Sequence, residues 1–338
     1  MVERRGLRPF LKWVGGKRQL LPVLRRFYPN THGAYFEPFL GSGAVFFDLL
    51  GQGLLDGHAV TLSDDNADLI GCYARVGDSL DAVLAALDSL AAGHGEGGRD
   101  HYLQVRDSRF NPARAVWRDA GSDITIYPAE LAAMLIYLNR TGYNGLFRLN
   151  STGEYNVPPG RYDRPRIVDR LLLELASSTF TFPDVRVQVA GFQRVLDEAL
   201  ADDFVYFDPP YAPLSATANF RGYTGRGFGD ADQQRLQQVL IALATRGVKV
   251  LLSNSTAPAV TRLYEGNAAV GAAGLRTWRF PARRAVNSKA DRRGPVEELV
   301  VSNIRPTPSL PSTWQSRASA SNTAPRGPGR RSRLAPSR

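Results

Sequence analysis

Cysteine and histidine are scarce in this chain of 338 residues. Cys72 is the only cysteine, so no disulfide framework can form within the chain. The four histidines are scattered without the spacing of metal ligands. We therefore expect neither disulfides nor a bound metal, and we expect a cytosolic compartment.

Long apolar runs are also missing. No segment approaches the ~18 apolar residues that are needed to span a bilayer. Residues 1–5 lack the apolar core of a signal peptide, so we expect no membrane role. The hydrophobic content of 43% is nevertheless enough for one large core or two smaller ones.

Lysine occurs only at positions 12, 17, 249 and 289, although the formal net charge is +10. Most cations are therefore arginines, whose planar guanidinium suits phosphate and guanine. Codon bias in a GC-rich genome explains the arginine usage equally well. The sign of the charge is the better indication, and it favours a polyanionic partner.

Hydrophobic periodicity indicates an α/β domain with an inserted helical region. Strand-like and helical segments alternate before residue 70, and strand-like segments return at 185–189, 204–207 and 248–253. Residues 71–168 read as mainly helical, with a predicted glycine-rich break at 93–98. We predict one α/β domain formed by residues 1–70 and 169–305, with residues 71–168 as an inserted domain.

The last 33 residues differ in composition from the rest of the chain. Residues 306–338 contain no acidic side chain and are rich in Pro, Ser, Ala, Gly and Arg. This composition predicts a disordered basic tail, because it offers little to bury. Such a tail could attract phosphate groups or have no role.

The apolar segment at 204–207 is followed by Asp208, Pro209, Pro210 and Tyr211. Open sheets bind ligands beyond the carboxyl ends of their strands, and two prolines fix the chain and remove N–H donors there. The Asp208 carboxylate and the Pro209 carbonyl can accept both hydrogens of an exocyclic amino group, while Tyr211 offers a stacking face. A surface turn is the alternative, since Asp and Pro are ordinary turn residues.

A second candidate site follows the strand-like segment at 34–39. Gly41 and Gly43 form a predicted turn that brings backbone N–H groups close to a ligand. Asp64 ends the next strand-like segment, where a carboxylate can accept hydrogen bonds from ribose hydroxyls. Together they favour a nucleoside cofactor; a plain tight turn and a helix N-cap at Asp64 are the alternatives.

Near the start, Lys12, Trp13 and Lys17 flank a pair of glycines. A Walker A loop is excluded, because the first glycine of that motif and the Ser or Thr after Lys17 are missing. Trp13 could pack in the core, but its neighbours favour a ligand rim.

In this order, four motifs resemble those of the Dam-type (D12 class) DNA adenine N6-methyltransferases. The motifs are Lys12-Trp13-x-Gly15-Gly16-Lys17, Glu37-Pro38-Phe39-x-Gly41-x-Gly43, Asp64-x-Asn66 and Asp208-Pro209-Pro210-Tyr211. Segments 138–158 and 212–220 resemble the same family, as does a closing basic segment at 283–299 that would meet the DNA backbone. The similarity runs from about residue 8 to residue 303.

The resemblance implies a Rossmann-like methyltransferase sheet with helices on both faces, and an insert that recognises the target sequence. It implies that duplex DNA is the partner and that S-adenosylmethionine donates a methyl group to N6 of an adenine. The adenine must be flipped out, because its amino group is paired and stacked in the duplex.

The resemblance also implies roles for individual residues. The residues implied around the methyl donor are Trp13, Lys17, Phe39, Gly41, Gly43, Asp64, Phe192 and Asp208. The target adenine would be held by Asp208, Pro209, Pro210 and Tyr211. Gly191 departs from the family pattern, which often has an acidic residue before the aromatic at position 192.

A GATC target is implied by the residues of the insert. The contacts would be Lys12 with the first guanine, Arg148 with a guanine, Leu146 and Pro158 with thymine methyls, and Tyr143 and Asn144 at the gap left by the flipped base. The alternatives are core positions for Tyr143 and Leu146 and a solvated charge for Arg148.

Two other functions stay open at this point. Cytosine N4 methylation uses the same amino-group chemistry, and a non-catalytic DNA-binding relative could retain the fold. We expect a cytoplasmic, nucleoid-associated enzyme that acts as a monomer or weak dimer and needs no metal.

Overall fold

The computed structural model describes residues 6–13, 15–211, 228–283 and 295–308. Segment 212–220, most of the closing basic segment and tail residues 309–338 lie outside the described residues. Thr307, at the start of the predicted tail, exchanges two hydrogen bonds with Arg26. The predicted disorder of the tail stays a prediction.

Seven strands form one mixed sheet in the order β3-β2-β1-β4-β5-β7-β6. They are β1 (Tyr35–Glu37), β2 (Val60–Asp64), β3 (Val185–Val189), β4 (Phe204–Phe207), β5 (Lys249–Ser255), β6 (Arg276–Arg283) and β7 (Pro295–Ser302). The five strands β3, β2, β1, β4 and β5 are parallel to one another. Tyr35 of β1 is the register partner of Val60 on one side and of Phe204 on the other. Strand β7 pairs antiparallel with β5 and β6.

The helices connect these strands. In chain order they are α1 (Leu21–Leu24), α2 (Ala44–Gly51), α3 (Ala67–Asp78), α4 (Leu80–Gln104), α5 (Asn111–Asp119), α6 (Ala129–Thr141), α7 (Arg170–Phe180), α8 (Val195–Glu198), α9 (Asp230–Thr245), α10 (Pro258–Tyr264) and α11 (Ala268–Ala272). A π-helical stretch, Val105–Phe110, joins α4 to α5. Within the described ranges, every helix is too short or too polar to cross a bilayer.

Side chains of β4 show that both faces of the sheet are covered. Phe204 and Tyr206 belong to a core cluster that includes residues of α2 and α3. Val205 and Phe207 point to the other face and pack with residues of α8 and α9. Because alternate residues of a strand face opposite sides, the apolar run at 204–207 fits burial on both faces. The predicted α/β sheet with helices on both faces is confirmed.

The predicted glycine-rich break at 93–98 is confirmed at its last residue. Gly98 has φ 47° and ψ −117°, so it divides α4 into two helical stretches that meet at a kink. Gly93 belongs to the first stretch, and a Cβ atom there would lie 2.4 Å from the His101 ring, so glycine is needed for close packing. At Gly93 this tertiary contact outweighs the low helix propensity of glycine.

A hairpin at residues 142–159 lies between α6 and α7 in the chain. It is marked by antiparallel bridges from Gly142 to Pro159 and from Leu149 to Tyr155. Arg114 of α5 fastens its tip, because the guanidinium donates to the Gly153 carbonyl at 2.5 Å and to Asp68 of α3 at 2.7 Å. The predicted boundaries of the inserted domain stay a prediction.

We expect Arg114→Met to lower the unfolding free energy by about 3–5 kcal/mol, because it leaves the Asp68 carboxylate buried without its partner. Both side chains of this pair are less than a tenth exposed. The control is Arg170→Met, which breaks an exposed pair with Asp88 and should cost no more than about 1 kcal/mol. Urea denaturation of the two variants measures the difference, and equal losses would contradict the burial argument.

Candidate active site

A crevice is expected where the sheet order reverses, between β1 and β4. The chain moves from β1 outward through β2 and β3, and from β4 outward through β5 in the other direction. Ligands of open α/β sheets bind at such a point, beyond the carboxyl ends of the strands. Glu37 ends β1 and Asp208 follows β4, so both sequence-predicted motifs reach this crevice.

One oxygen of the Asp208 carboxylate is engaged by the protein. The Lys17 ammonium lies 2.7 Å from Oδ1, and the Ser253 hydroxyl of β5 donates to the same oxygen at 3.4 Å. Burial raises the pKa of Asp208, and the charge of Lys17 opposes that shift. Among the described residues none bonds to Oδ2, which leaves this oxygen for a ligand.

Lys17 and Tyr211 hold each other in place beside Asp208. The Lys17 side chain is only 5% exposed, and its ammonium also donates to the Gly15 carbonyl at 2.7 Å. The same ammonium lies 4.4 Å from the centre of the Tyr211 ring. The Tyr211 hydroxyl donates to Glu298 of β7, and burial raises the pKa of Tyr211 well above its usual range. One face of the ring is therefore covered by a cation.

Three carboxyl groups converge on the crevice. Glu37 is 2% exposed and accepts a 2.6 Å hydrogen bond from the Tyr35 hydroxyl. Burial, together with the charges of Asp208 and Asp64, raises the pKa of Glu37 to about 8, while the Tyr35 hydrogen bond lowers it. Burial also raises the pKa of Asp64. Because like charges destabilise one another there, the crevice favours a positively charged ligand.

Asp64 organises the glycine turn after β1. Its two oxygens accept the N–H groups of Gly41 at 3.1 Å and of Asn66 at 3.0 Å. The N-cap of α3 is Asn66, whose side chain accepts from the N–H of Leu69, so the N-cap alternative for Asp64 is wrong. The structure thus joins Asp64 to the turn, as the predicted cofactor site requires.

The turn itself approaches Trp13 closely. Gly41 and Gly43 have φ values of 48° and 68°, which favour glycine. A Cβ atom at Gly41 would lie 2.9 Å from Cδ1 of Trp13. Trp13 also stacks on Phe147 of the hairpin, with ring centres 5.8 Å apart. Trp13 therefore connects the glycine turn to the hairpin.

A cluster of phenylalanine side chains lies next to the end of β1. Phe39 stacks on Phe192 with ring centres 5.3 Å apart, and Phe228 contacts both rings. Phe39 also contacts Phe207, the residue before Asp208. The predicted cofactor residues Phe39, which follows β1, and Phe192 are thus adjacent to the Asp208 motif.

The sequence-predicted DNA contacts lie on or against the hairpin 142–159. Lys12, Tyr143, Asn144, Arg148 and Pro158 are exposed, and Tyr143 is 44% exposed. The core alternative for Tyr143 is therefore wrong. Leu146 is partly buried and packs on the core.

Hydrogen bonds hold two of these residues at the hairpin. The Asn139 amide bonds the backbone of Lys12 and the carbonyl of Gly145. Asn156 accepts from Nε of Arg148 at 2.7 Å and from Nη2 at 3.1 Å. A guanidinium has five N–H donors, and the bonds to Asn156 use two of them within the described ranges, so donors remain for a ligand.

Sequence reasoning did not assign a role to Glu37, Ser253, Glu298 or Gln233, although all lie at this site. Glu37 belongs to the motif that contains Gly41 and Gly43. An acidic residue at the end of a strand, next to a glycine turn, is the sequence pattern that could have identified it. The other three come from distant segments and have no local signal. Within the described ranges, no group of three acidic, His or Cys side chains is arranged to hold a metal ion.

Comparison with known proteins gives one family. Residues 13–277 match the family model for D12 class N6 adenine-specific DNA methyltransferases. A type II methyltransferase from Lactococcus lactis subsp. cremoris is 37% identical, over 88% of this chain and 95% of the relative. A type II methyltransferase from Methanocaldococcus jannaschii is 36% identical, over 88% and 99%. The DNA adenine methylase of Escherichia coli K12 is 35% identical, over 87% and 94%.

We expect Glu37→Gln to stabilise the ligand-free protein at pH 8 but not at pH 5. A carboxyl with a raised folded-state pKa stabilises the fold fully below its unfolded pKa of 4.5 and loses that contribution as the pH rises to about 8. The variant should therefore gain on the wild type by up to about 1.4 kcal/mol per pH unit between these limits. Urea denaturation at pH 5, 6.5 and 8 measures the gain.

A matched control is Asp123→Asn, which neutralises an exposed carboxyl away from the crevice. The pKa of Asp123 is lowered by its hydrogen bonds to Thr125, so its charge is constant between pH 5 and 8. No pH-dependent difference from the wild type is expected. A Glu37→Gln variant that behaves like this control would show that Glu37 is ionised in the folded protein at pH 5.

Proposed function

The chain belongs to the D12 class N6 adenine-specific DNA methyltransferases, and on that premise we propose that it methylates adenine in GATC sites by flipping the base out of duplex DNA. Because the family is adenine-specific, it favours adenine N6 methylation over the alternative of cytosine N4 methylation. The observation that carries the proposal is the Asp208 carboxylate at the sheet crevice, where Lys17 and Ser253 engage Oδ1 and no described residue bonds to Oδ2.

S-adenosylmethionine is the methyl donor, and its sulfonium supplies the electrophilic methyl group. The crevice fits this molecule, because a cationic sulfonium and ammonium suit the convergence of Glu37, Asp64 and Asp208. The glycine turn allows close backbone approach, and an aromatic surface is adjacent for a flat base. We assign its binding to Trp13, Lys17, Phe39, Gly41, Gly43, Asp64, Phe192 and Asp208.

The acceptor amino group would be held by the turn after β4. Oδ2 of Asp208 and the Pro209 carbonyl would accept the two N6 hydrogens, which increases electron density on the nitrogen. Burial raises the pKa of Asp208, and the charge and hydrogen bond of Lys17 oppose that shift and favour the carboxylate form. The base would stack on the face of Tyr211 that Lys17 leaves open. Positioning then does most of the catalytic work.

The hairpin supports recognition of a specific sequence. Base flipping leaves a gap in the duplex, and the exposed ring of Tyr143 next to Asn144 suits that gap. Arg148 is braced by Asn156 and retains donors for a bidentate contact with guanine. Lys12 would meet the first guanine, and Leu146 and Pro158 the thymine methyls.

We expect Asp208→Ala to abolish methyl transfer while duplex binding stays largely unchanged. Asp208 orients the acceptor nitrogen, whereas phosphate contacts supply most of the affinity for DNA. Transfer of labelled methyl groups and a binding titration on the same duplex measure the two effects. Asp197→Ala, an exposed carboxylate on α8, is the control and should keep the wild-type rate. A near-normal rate for Asp208→Ala would refute the assigned role.

We expect Arg148→Ala to weaken discrimination at one guanine of GATC by about 1–3 kcal/mol. The measurement compares methylation of a GATC duplex with duplexes that carry one substituted base pair. Arg186→Ala removes a surface arginine that pairs with Glu198 and should leave discrimination intact. An equal loss of methylation rate on matched and substituted sites would indicate that Arg148 contacts the DNA backbone. Methylation by the wild type that does not depend on GATC would overturn the proposed target.

A further inference from the structure

The Pro210 carbonyl is bonded by a buried side chain from another part of the chain. Nε2 of Gln233, on α9, donates to this carbonyl at 3.3 Å. The other end of the Gln233 amide accepts a 2.9 Å hydrogen bond from Nδ2 of Asn254, on β5. Two amides therefore connect the sheet to the turn that follows β4.

The direction of these hydrogen bonds is determined by the backbone. The N–H of Ser255 donates to Oδ1 of Asn254 at 2.8 Å, and a backbone N–H can only donate. Asn254 must then present its NH2 group to Gln233, so Gln233 presents its own NH2 group to Pro210. A backbone donor thus orients two side-chain amides in series.

Burial of these amides is costly unless both are fully bonded. Gln233 is 1% exposed and Asn254 is 0% exposed. Their neighbours on α9 and β5, such as Leu236 and Leu252, are apolar and pack the same interface. Apolar side chains at both positions would avoid the desolvation penalty of the amides. The polar pair is therefore not explained by packing.

We propose that Gln233 and Asn254 are positioning residues that hold the turn Asp208–Tyr211 in its reactive geometry. The inference rests on the proposed role of this turn in holding the adenine amino group. Gln233 already engages the Pro210 carbonyl, so we assign the Pro209 carbonyl as the backbone acceptor that would act with Oδ2 of Asp208. Neither amide needs to touch the substrate.

The first experiment compares two variants of the same helix. Gln233→Leu removes the donor to Pro210, whereas Gln237→Leu removes an equivalent amide that donates to the Leu263 carbonyl one turn further along α9. We expect kcat of Gln233→Leu to fall about ten- to a hundredfold, with an unchanged KM for S-adenosylmethionine. The unfolding midpoint should also fall, because the Asn254 NH2 group is left buried without its acceptor, so kcat is compared at a temperature where each variant is fully folded. Gln237→Leu should keep kcat. Equal kcat values for Gln233→Leu and the wild type would overturn the inference.

The second experiment tests the direction of the hydrogen bonds. In Asn254→Asp both side-chain oxygens are acceptors, so the Gln233 amide should rotate and donate its NH2 group to the new carboxylate. The Gln233 oxygen would then face the Pro210 carbonyl oxygen, and the two oxygens would repel each other. We expect kcat to fall as in Gln233→Leu, and the double variant to lose no more than Gln233→Leu alone. Additive losses would show that Asn254 does not act through Gln233.

Activity is scored as total adenine methylation of plasmid DNA, so the result does not depend on GATC. If the wild type methylates adenine and Asp208→Ala does not, the proposed role of the turn stands whatever Gln233→Leu shows. An active Asp208→Ala would overturn that role, and the inference with it.

Discussion

The ion pair between Lys17 and Asp208 is the contact on which the site depends. It joins the N-terminal loop to the carboxyl end of β4 with an almost fully buried ammonium. The same loop carries Trp13, which packs on the glycine turn, and Lys12, whose backbone is bonded by Asn139. One short segment therefore contacts the glycine turn, the turn after β4 and the helix that precedes the hairpin. The proposed cofactor, catalytic and DNA contacts are connected through it.

The buried carboxyl groups of the crevice destabilise the ligand-free protein. Glu37, Asp64 and Asp208 lie in a region where burial raises the pKa of each carboxyl. A protein selected only for stability would replace Glu37 with a neutral side chain. Bound at this crevice as we propose, the cationic methyl donor would neutralise these carboxyls and offset their cost to the fold.

Strands with strong apolar runs could be predicted from the sequence, and weakly apolar strands could not. Strands β3 and β4 have their predicted bounds, since residues 185–189 alternate and residues 204–207 are continuously apolar. Strand β6 was missed because it contains three arginines and a proline, which is typical of an edge strand. The break in α4 was predicted from its glycines and occurs at Gly98, whereas the packing of His101 against Gly93 could not be predicted from the sequence.

The sequence by itself determined the fold class, the family and the motifs that meet at the crevice, because each is specified by residues close together in the chain. Only the tertiary structure decided how those motifs are held. The partners of Asp208, Tyr211 and Pro210 are Ser253, Glu298 and Gln233, which lie 45, 87 and 23 residues away. Such contacts depend on how the strands are ordered in the sheet, and no local pattern records that order.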